Sequence, residues 1–202
     1  MNPKHQLQKK TLYEIPLYRG WIDDSQVDND FLIKDALDNY DDKVSDDLLH
    51  TSNEDSRMPD SDEIINLISI IQNDYYNLTG YETEIETYWS HIQMPEQSTN
   101  FHNHDMIPSL MSGVYYPHTA PPEAGTLIFN WNDEKARWYS DGRTKDMQYT
   151  EYAERGKYLL FPPDLNHYVT RNVTNDVRVS ISFNTSPGLS KHVLSLVAAP
   201  TK

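Results

Sequence analysis

Arg178-Val179-Ser180-Ile181-Ser182-Phe183-Asn184 alternates polar and apolar residues without a break. Side chains of a strand point to opposite faces with period two, so Arg178, Ser180, Ser182 and Asn184 share one face and Val179, Ile181 and Phe183 share the other. A polar face carrying an arginine and three small hydrogen-bonding groups suits a barrel whose interior holds a polar ligand. The plainer alternative is an arginine that caps a sheet edge. A guanidinium can clamp a carboxylate through two parallel hydrogen bonds, and Ser180 is placed to add a third.

Eleven residues upstream lies His167, at the end of Leu160-Phe161-Pro162-Pro163-Asp164-Leu165-Asn166-His167. Here an apolar run meets a proline turn and then an imidazole. Eleven residues allow one turn and a return along the neighbouring strand. A second histidine cluster is Phe101-His102-Asn103-His104-Asp105. In an extended segment His102 and His104 point the same way and can share one metal ion. With His167 from a separate strand they form a facial set of three, the arrangement that leaves open positions on non-haem Fe(II). Each ring must be neutral to donate its lone pair. Taken singly, His102, His104 and His167 also read as ordinary surface or turn residues.

The strands needed for such a barrel are legible as short β-branched and aromatic runs between Pro, Gly and Asn-Asp clusters. They are 84–92, 112–116, 126–131, 137–139, 157–161, 166–170 and 178–184, with Asp141-Gly142 as a hairpin signal. Seven strands at this spacing predict an all-β sandwich or barrel. Upstream, Tyr13, Ile15 and Leu17 alternate as an extended segment, and Phe31, Ile33, Leu37 and Tyr40 suggest a short helix. A longer helix is predicted after Pro59. Asp60 and Glu63 have capping-box spacing, Ile64, Leu67, Ile68, Ile71 and Tyr75 form an apolar stripe, and Gly80 stops it. Leu189–Ala198 reads as a short closing helix.

The 202 residues suffice for one domain with a substantial core. The expected division is 1–80 as an N-terminal strand and helical support with an acidic loop, 81–185 as the β core, and 186–202 as a C-terminal helix or tail. Acidic residues outnumber basic ones 31 to 17, and fifteen of them lie between Asp23 and Glu63. A net charge of −14 disfavours nucleic acid as a partner, because that affinity comes largely from Lys and Arg displacing counterions. No apolar run is long enough to span a bilayer, and Met1–Lys10 lacks the apolar core of a signal peptide. The absence of cysteine removes disulfides, thiolate metal sites and a Cys nucleophile. A cytoplasmic location is expected, in a host cytoplasm if the gene is carried by a phage. Mean hydropathy is low at −0.74, but 14 tyrosines argue for a folded body.

Five motifs, in this order, resemble the 2-oxoglutarate/Fe(II)-dependent oxygenases. They are His102-Asn103-His104, Ser112-Gly113-Val114-Tyr115-Tyr116, Gly125-Thr126-Leu127-Ile128-Phe129, Leu160-Phe161-Pro162-Pro163 through His167, and Arg178-Val179-Ser180. The likeness is greatest to an uncharacterised phage and bacterial branch related in fold to prolyl hydroxylases, and it covers Trp89 to Asn184. It implies a mainly β fold, a double-stranded β-helix (jelly roll) with supporting N-terminal helices. It also implies Fe(II) held by His102, His104 and His167, and 2-oxoglutarate held at its far carboxylate by Arg178 and Ser180. Tyr115 and Tyr116 point to opposite faces, so at most one lines the pocket, and Tyr115 is assigned to the cosubstrate.

The implied activity is a dioxygenase that hydroxylates a protein side chain or small molecule and releases succinate and CO2, with ascorbate as an accessory reductant. The superfamily usually carries H-x-D or H-x-E where this chain has His104 followed by Asp105. Two ligand sets therefore stand open: three histidines, or Asp105 turned inward in place of one of them. Two other classes also stand. One is a non-catalytic phage accessory module in which metal staples the jelly roll. The other is a cupin-like three-histidine enzyme that uses no 2-oxoglutarate.

Overall fold

The computed structural model describes residues 15–40, 58–104, 110–130 and 148–188. Two antiparallel sheets face each other. The larger has strand order β1-β7-β4-β9-β2, built from β1 (Tyr18–Trp21), β2 (Thr83–Gln93), β4 (Met111–Tyr115), β7 (Lys157–Phe161) and β9 (Arg178–Pro187). The smaller has order β3-β8-β5-β6, from β3 (Thr99–His102), β5 (Leu127–Asn130), β6 (Gln148–Glu151) and β8 (His167–Val169). Such curled antiparallel sheets are the double-stranded β-helix expected from the motifs.

Helices α1 (Asn29–Asp38) and α2 (Asp62–Thr79) lie against the outer face of the larger sheet. Val179, Ile181 and Phe183 of β9 pack there with Leu32, Ile64, Leu67 and Ile71. Each such side chain contributes roughly 1.5–3 kcal/mol by leaving water. A second cluster, with Leu127, Phe129, Leu159, Phe161 and Val169, fills the space between the sheets. The alternation of β9 therefore works as read: its apolar face meets the helices and its polar face meets the interior. Gly113 permits this packing, because a Cβ there would stand 2.2 Å from the Phe183 ring.

Tyrosine hydroxyls tie the sheet to the helical layer. Tyr115 donates to Asn29 Oδ1 at 2.6 Å, Tyr158 donates to Asp74 at 2.8 Å, and Tyr88 donates to Asp60. The last bond explains a correction at the start of α2. Asp60 is engaged by Tyr88, and Ser61 is the N-cap, accepting from Ile64 N. Glu63 accepts from Asp28 N rather than closing a capping box. Gly80 does end the helix, in the left-handed conformation at φ 75°, with its N–H donating to Tyr76 O.

Other boundaries differ locally. The first strand begins at Tyr18, after Ile15 and Leu17, because its pairing partner β7 faces Tyr18–Trp21. β3 and β6 were not anticipated: each has only four residues, too few to display a period. The predicted strand 137–139, the Asp141-Gly142 turn, Tyr13 and the predicted helix Leu189–Ala198 lie outside the described residues. β6 is held to the larger sheet by charge. Buried Glu151 pairs with buried Lys157 on β7 at 3.1 Å and with Arg19 on β1, and Lys157 also reaches Glu154. Among the described residues, no helix is long and apolar enough to cross a membrane.

Candidate metal centre and anion pocket

His102 and His167 are directly opposite in the β3–β8 pair. From Thr99 to His102 takes three steps on β3, while Val169 to His167 takes two on β8. The extra residue is a bulge, which re-aims the end of β3 so that His102 turns inward. His104 follows just past the strand. Its backbone N–H donates to Pro163 O at 2.7 Å, so the proline turn that delivers His167 also pins the other two histidines.

The three rings converge. One nitrogen from each of His102, His104 and His167 lies within 4.8 Å of the others, and His104 and His167 are buried. Two tautomers are set by the backbone. His102 Nδ1 donates to Asn100 O at 2.7 Å and His167 Nδ1 donates to Leu165 O at 2.8 Å. Each leaves Nε2 with a free lone pair, the state of a metal-ligating imidazole. Burial, reinforced by neighbouring His102, pushes His104 down to about 4 and His167 down to about 3. Both are therefore neutral donors at neutral pH. Three converging imidazole nitrogens fit a divalent cation. Among the described residues no Asp or Glu joins the cluster. Asp105, the open alternative, lies outside them.

The same cavity runs to Arg178 at the far end. Its side chain is only 1% exposed, yet Nε has no hydrogen-bond partner and Nη1 reaches Ser180 Oγ at a long 3.4 Å. The guanidinium lies over the Tyr116 ring, 5.4 Å from its centroid, and the Tyr116 hydroxyl is also buried without a partner. Burial lowers the pKa of Arg178 and raises that of Tyr116 to about 12, so the Tyr116 hydroxyl keeps its proton and can donate. A buried cation without a carboxylate is costly, and a cavity that contains one is shaped for an anion.

Arg178 and Ser180 thus share one cavity with the three histidines, and Tyr115 does not. It lies on the opposite face of β4, in the core beneath α1, with its hydroxyl on Asn29. Tyr116 takes the inward place, because period two along β4 sends Ser112, Val114 and Tyr116 to the cavity side. Sequence reasoning also missed Trp89, His91 and Thr99, which line the cavity. Trp89-Ser90-His91-Ile92-Gln93 carries no clear signal in sequence, because polar and apolar residues fall on both faces and only the pairing with β9 shows which is inner.

Residues 87–184 match a family model described as "Putative 2OG-Fe(II) oxygenase". No curated protein matches the chain by sequence. Among solved structures, the non-heme alpha ketoglutarate dependent carbocyclase SnoK from nogalamycin biosynthesis superposes with a TM-score of 0.60 at 11% identity. The alignment covers 92% of this chain and 88% of that one. HygX from Streptomyces hygroscopicus with iron bound gives a TM-score of 0.57 at 12% identity, over 86% of this chain and 82% of that one. AviO1 from Streptomyces viridochromogenes gives 0.51 at 14% identity, over 70% and 64%. At these identities the likeness is one of fold.

Proposed function

We propose an Fe(II)- and 2-oxoglutarate-dependent dioxygenase that hydroxylates a protein side chain or a small molecule, a reading supported by the match of residues 87–184 to a 2OG-Fe(II) oxygenase family model. His102, His104 and His167 would hold the iron; Arg178, Ser180 and Tyr116 would hold the far carboxylate of 2-oxoglutarate. The observation that carries this reading is the buried guanidinium of Arg178, its Nε without a partner, in one cavity with three imidazoles. A cation site and an anion site facing each other suit a dianion that bridges them. HygX has been solved with nickel and 2-oxoglutarate bound, which supports the pairing of ligands on this fold.

Iron with 2-oxoglutarate supplies oxygen activation coupled to decarboxylation, giving succinate, CO2 and an oxidised substrate. The protein's part is positional. Asn100 O and Leu165 O engage Nδ1 of His102 and His167, leaving Nε2 of each as the nitrogen available to a metal. Arg178 and Tyr116 orient the dianion with donors that need no reorganisation. Phe161 and Phe129, edge to face with centroids 4.8 Å apart beside His167, keep water from that side of the site. The chain's acidity favours a protein or small-molecule substrate over a polyanion.

The test is purified protein with Fe(II), ascorbate and 2-oxoglutarate, followed for succinate. Slow uncoupled succinate formation is expected, abolished in His167→Ala and Arg178→Ala. A folded, iron-loaded sample that forms none would favour a metal-stapled, non-catalytic jelly roll. Succinate-independent oxidation that survives Arg178→Ala would favour a cupin-like enzyme.

A further inference from the structure

His91 has no part in the ligand set above, yet it is 6% exposed, lines the cavity and pairs in register with Ser180 on the neighbouring strand. Its ring therefore stands on the same inner face as Arg178 and Ser180, in the cavity that the histidine cluster also lines. Thr99 Oγ1 lies 2.9 Å from its Nε2. That contact occupies one ring nitrogen, so a ligand in the cavity can be met only by Nδ1.

Resting on the reading of the cavity as a 2-oxoglutarate site, we infer that His91 is a positioning residue for the cosubstrate. It is a neutral donor whose Nε2 is engaged by Thr99. The Thr99 hydroxyl donates to Nε2, and Nδ1–H is then directed to a carboxylate oxygen of the dianion. The ring's surroundings require a neutral donor. Arg178 and the cation site share the cavity with it, and neither tolerates a further positive charge. Burial, with Arg178 and His102 nearby, keeps the ring uncharged in agreement with this geometry. A lysine or arginine could supply the hydrogen bond only by adding charge, and a serine could not reach as far. Thr99 sits just before the β3 bulge, so the strand that turns His102 toward the metal also fixes the orientation of His91. Metal and cosubstrate are thereby tied to one local distortion of β3.

The test is equilibrium dialysis of 2-oxoglutarate against protein loaded with Mn(II), in which no turnover occurs, with metal content and melting temperature measured on the same samples. His91→Ala weakens 2-oxoglutarate binding by about 10- to 100-fold, the loss of one hydrogen bond to a charged group. It leaves one metal per chain. His91→Asn, whose amide N–H occupies the place of Nδ1–H, restores most of that loss. Thr99→Val, which removes the contact that holds Nε2, gives an intermediate loss. In uncoupled turnover the KM for 2-oxoglutarate rises in His91→Ala with a smaller change in kcat. Wild-type binding by His91→Ala overturns the inference, as does a parallel loss of metal or a His91→Asn no better than Ala. Arg178→Met separates this from failure of the underlying reading: if that variant also binds 2-oxoglutarate normally, the cosubstrate site itself is wrong.

Discussion

Replacing Arg178 with methionine should move two observables in opposite directions. In the free protein the guanidinium is 1% exposed, lacks a partner for Nε and has only a 3.4 Å contact to Ser180. Burying an ion this way costs several kcal/mol after relaxation. Its placement over the Tyr116 ring offsets about 2 kcal/mol. Methionine fills similar volume without charge, so Arg178→Met should stabilise the metal-free, ligand-free protein by about 1–3 kcal/mol. For a chain of this size that is a rise in Tm of roughly 2–10 °C. The same substitution removes the partner of the dianion, at a cost of about 2–5 kcal/mol in binding. Saturating 2-oxoglutarate at 100 times Kd should raise the stability of the metal-loaded wild type by about 2.7 kcal/mol. That increment should vanish in the variant. Thermal melts with and without metal and 2-oxoglutarate measure both effects. A variant that melts lower without ligand yet keeps its ligand-induced shift would refute the assignment of Arg178 as an anion clamp waiting for its anion.

Metal titration with and without 2-oxoglutarate should show affinity rising at least tenfold, about 1.4 kcal/mol, when the cosubstrate is present. His104→Asp, which introduces a carboxylate, should bind metal with a smaller dependence on it. Tyr115→Phe should leave 2-oxoglutarate affinity unchanged while costing about 1–3 kcal/mol of stability, because Asn29 loses a buried partner. Tyr116→Phe should weaken cosubstrate binding, and the two dissociation constants decide which tyrosine faces the cavity. Glu151→Ala should destabilise by about 3–5 kcal/mol, since it leaves buried Lys157 only the exposed Glu154 as a partner, whereas Glu151→Met with Lys157→Met should recover most of that in a denaturant titration. Burial holds His91 at about 3, below the value of 6.5 for an unfolded histidine. Its contribution to stability is thus complete above pH 6.5 and is lost as pH falls from there toward 3. Between pH 7.5 and 5.5 the wild type should lose about 1.4 kcal/mol more than His91→Asn.

What the sequence disclosed and what it hid divide along physical lines. β9 was legible because seven residues alternate without exception, and the side that meets the helices is wholly apolar. α2 was legible for the same reason at period 3.6, although its cap was displaced by one residue. Asp60 has a long-range partner in Tyr88, and no local pattern encodes that. The histidine pair was found by assuming period two. The structure reaches the same convergence by a different route, a bulge in β3 and a backbone bond from His104 to Pro163. The choice between Tyr115 and Tyr116 could not be made from adjacent residues of one strand. It depends on Asn29, 86 positions away, claiming the first hydroxyl. His91 was hidden because Trp89-Ser90-His91-Ile92-Gln93 mixes residue types on both faces, and only its pairing with β9 shows which face is inner.

The central claim is that one cavity holds a cation at three imidazoles and a dianion extending to a buried guanidinium. Anomalous diffraction at the iron edge, from crystals prepared without oxygen in Fe(II) and 2-oxoglutarate, tests it directly. The account predicts a single peak between His102, His104 and His167, with ligand density running from it to Arg178. A peak elsewhere, or an ion at those histidines with no density toward Arg178, would contradict it.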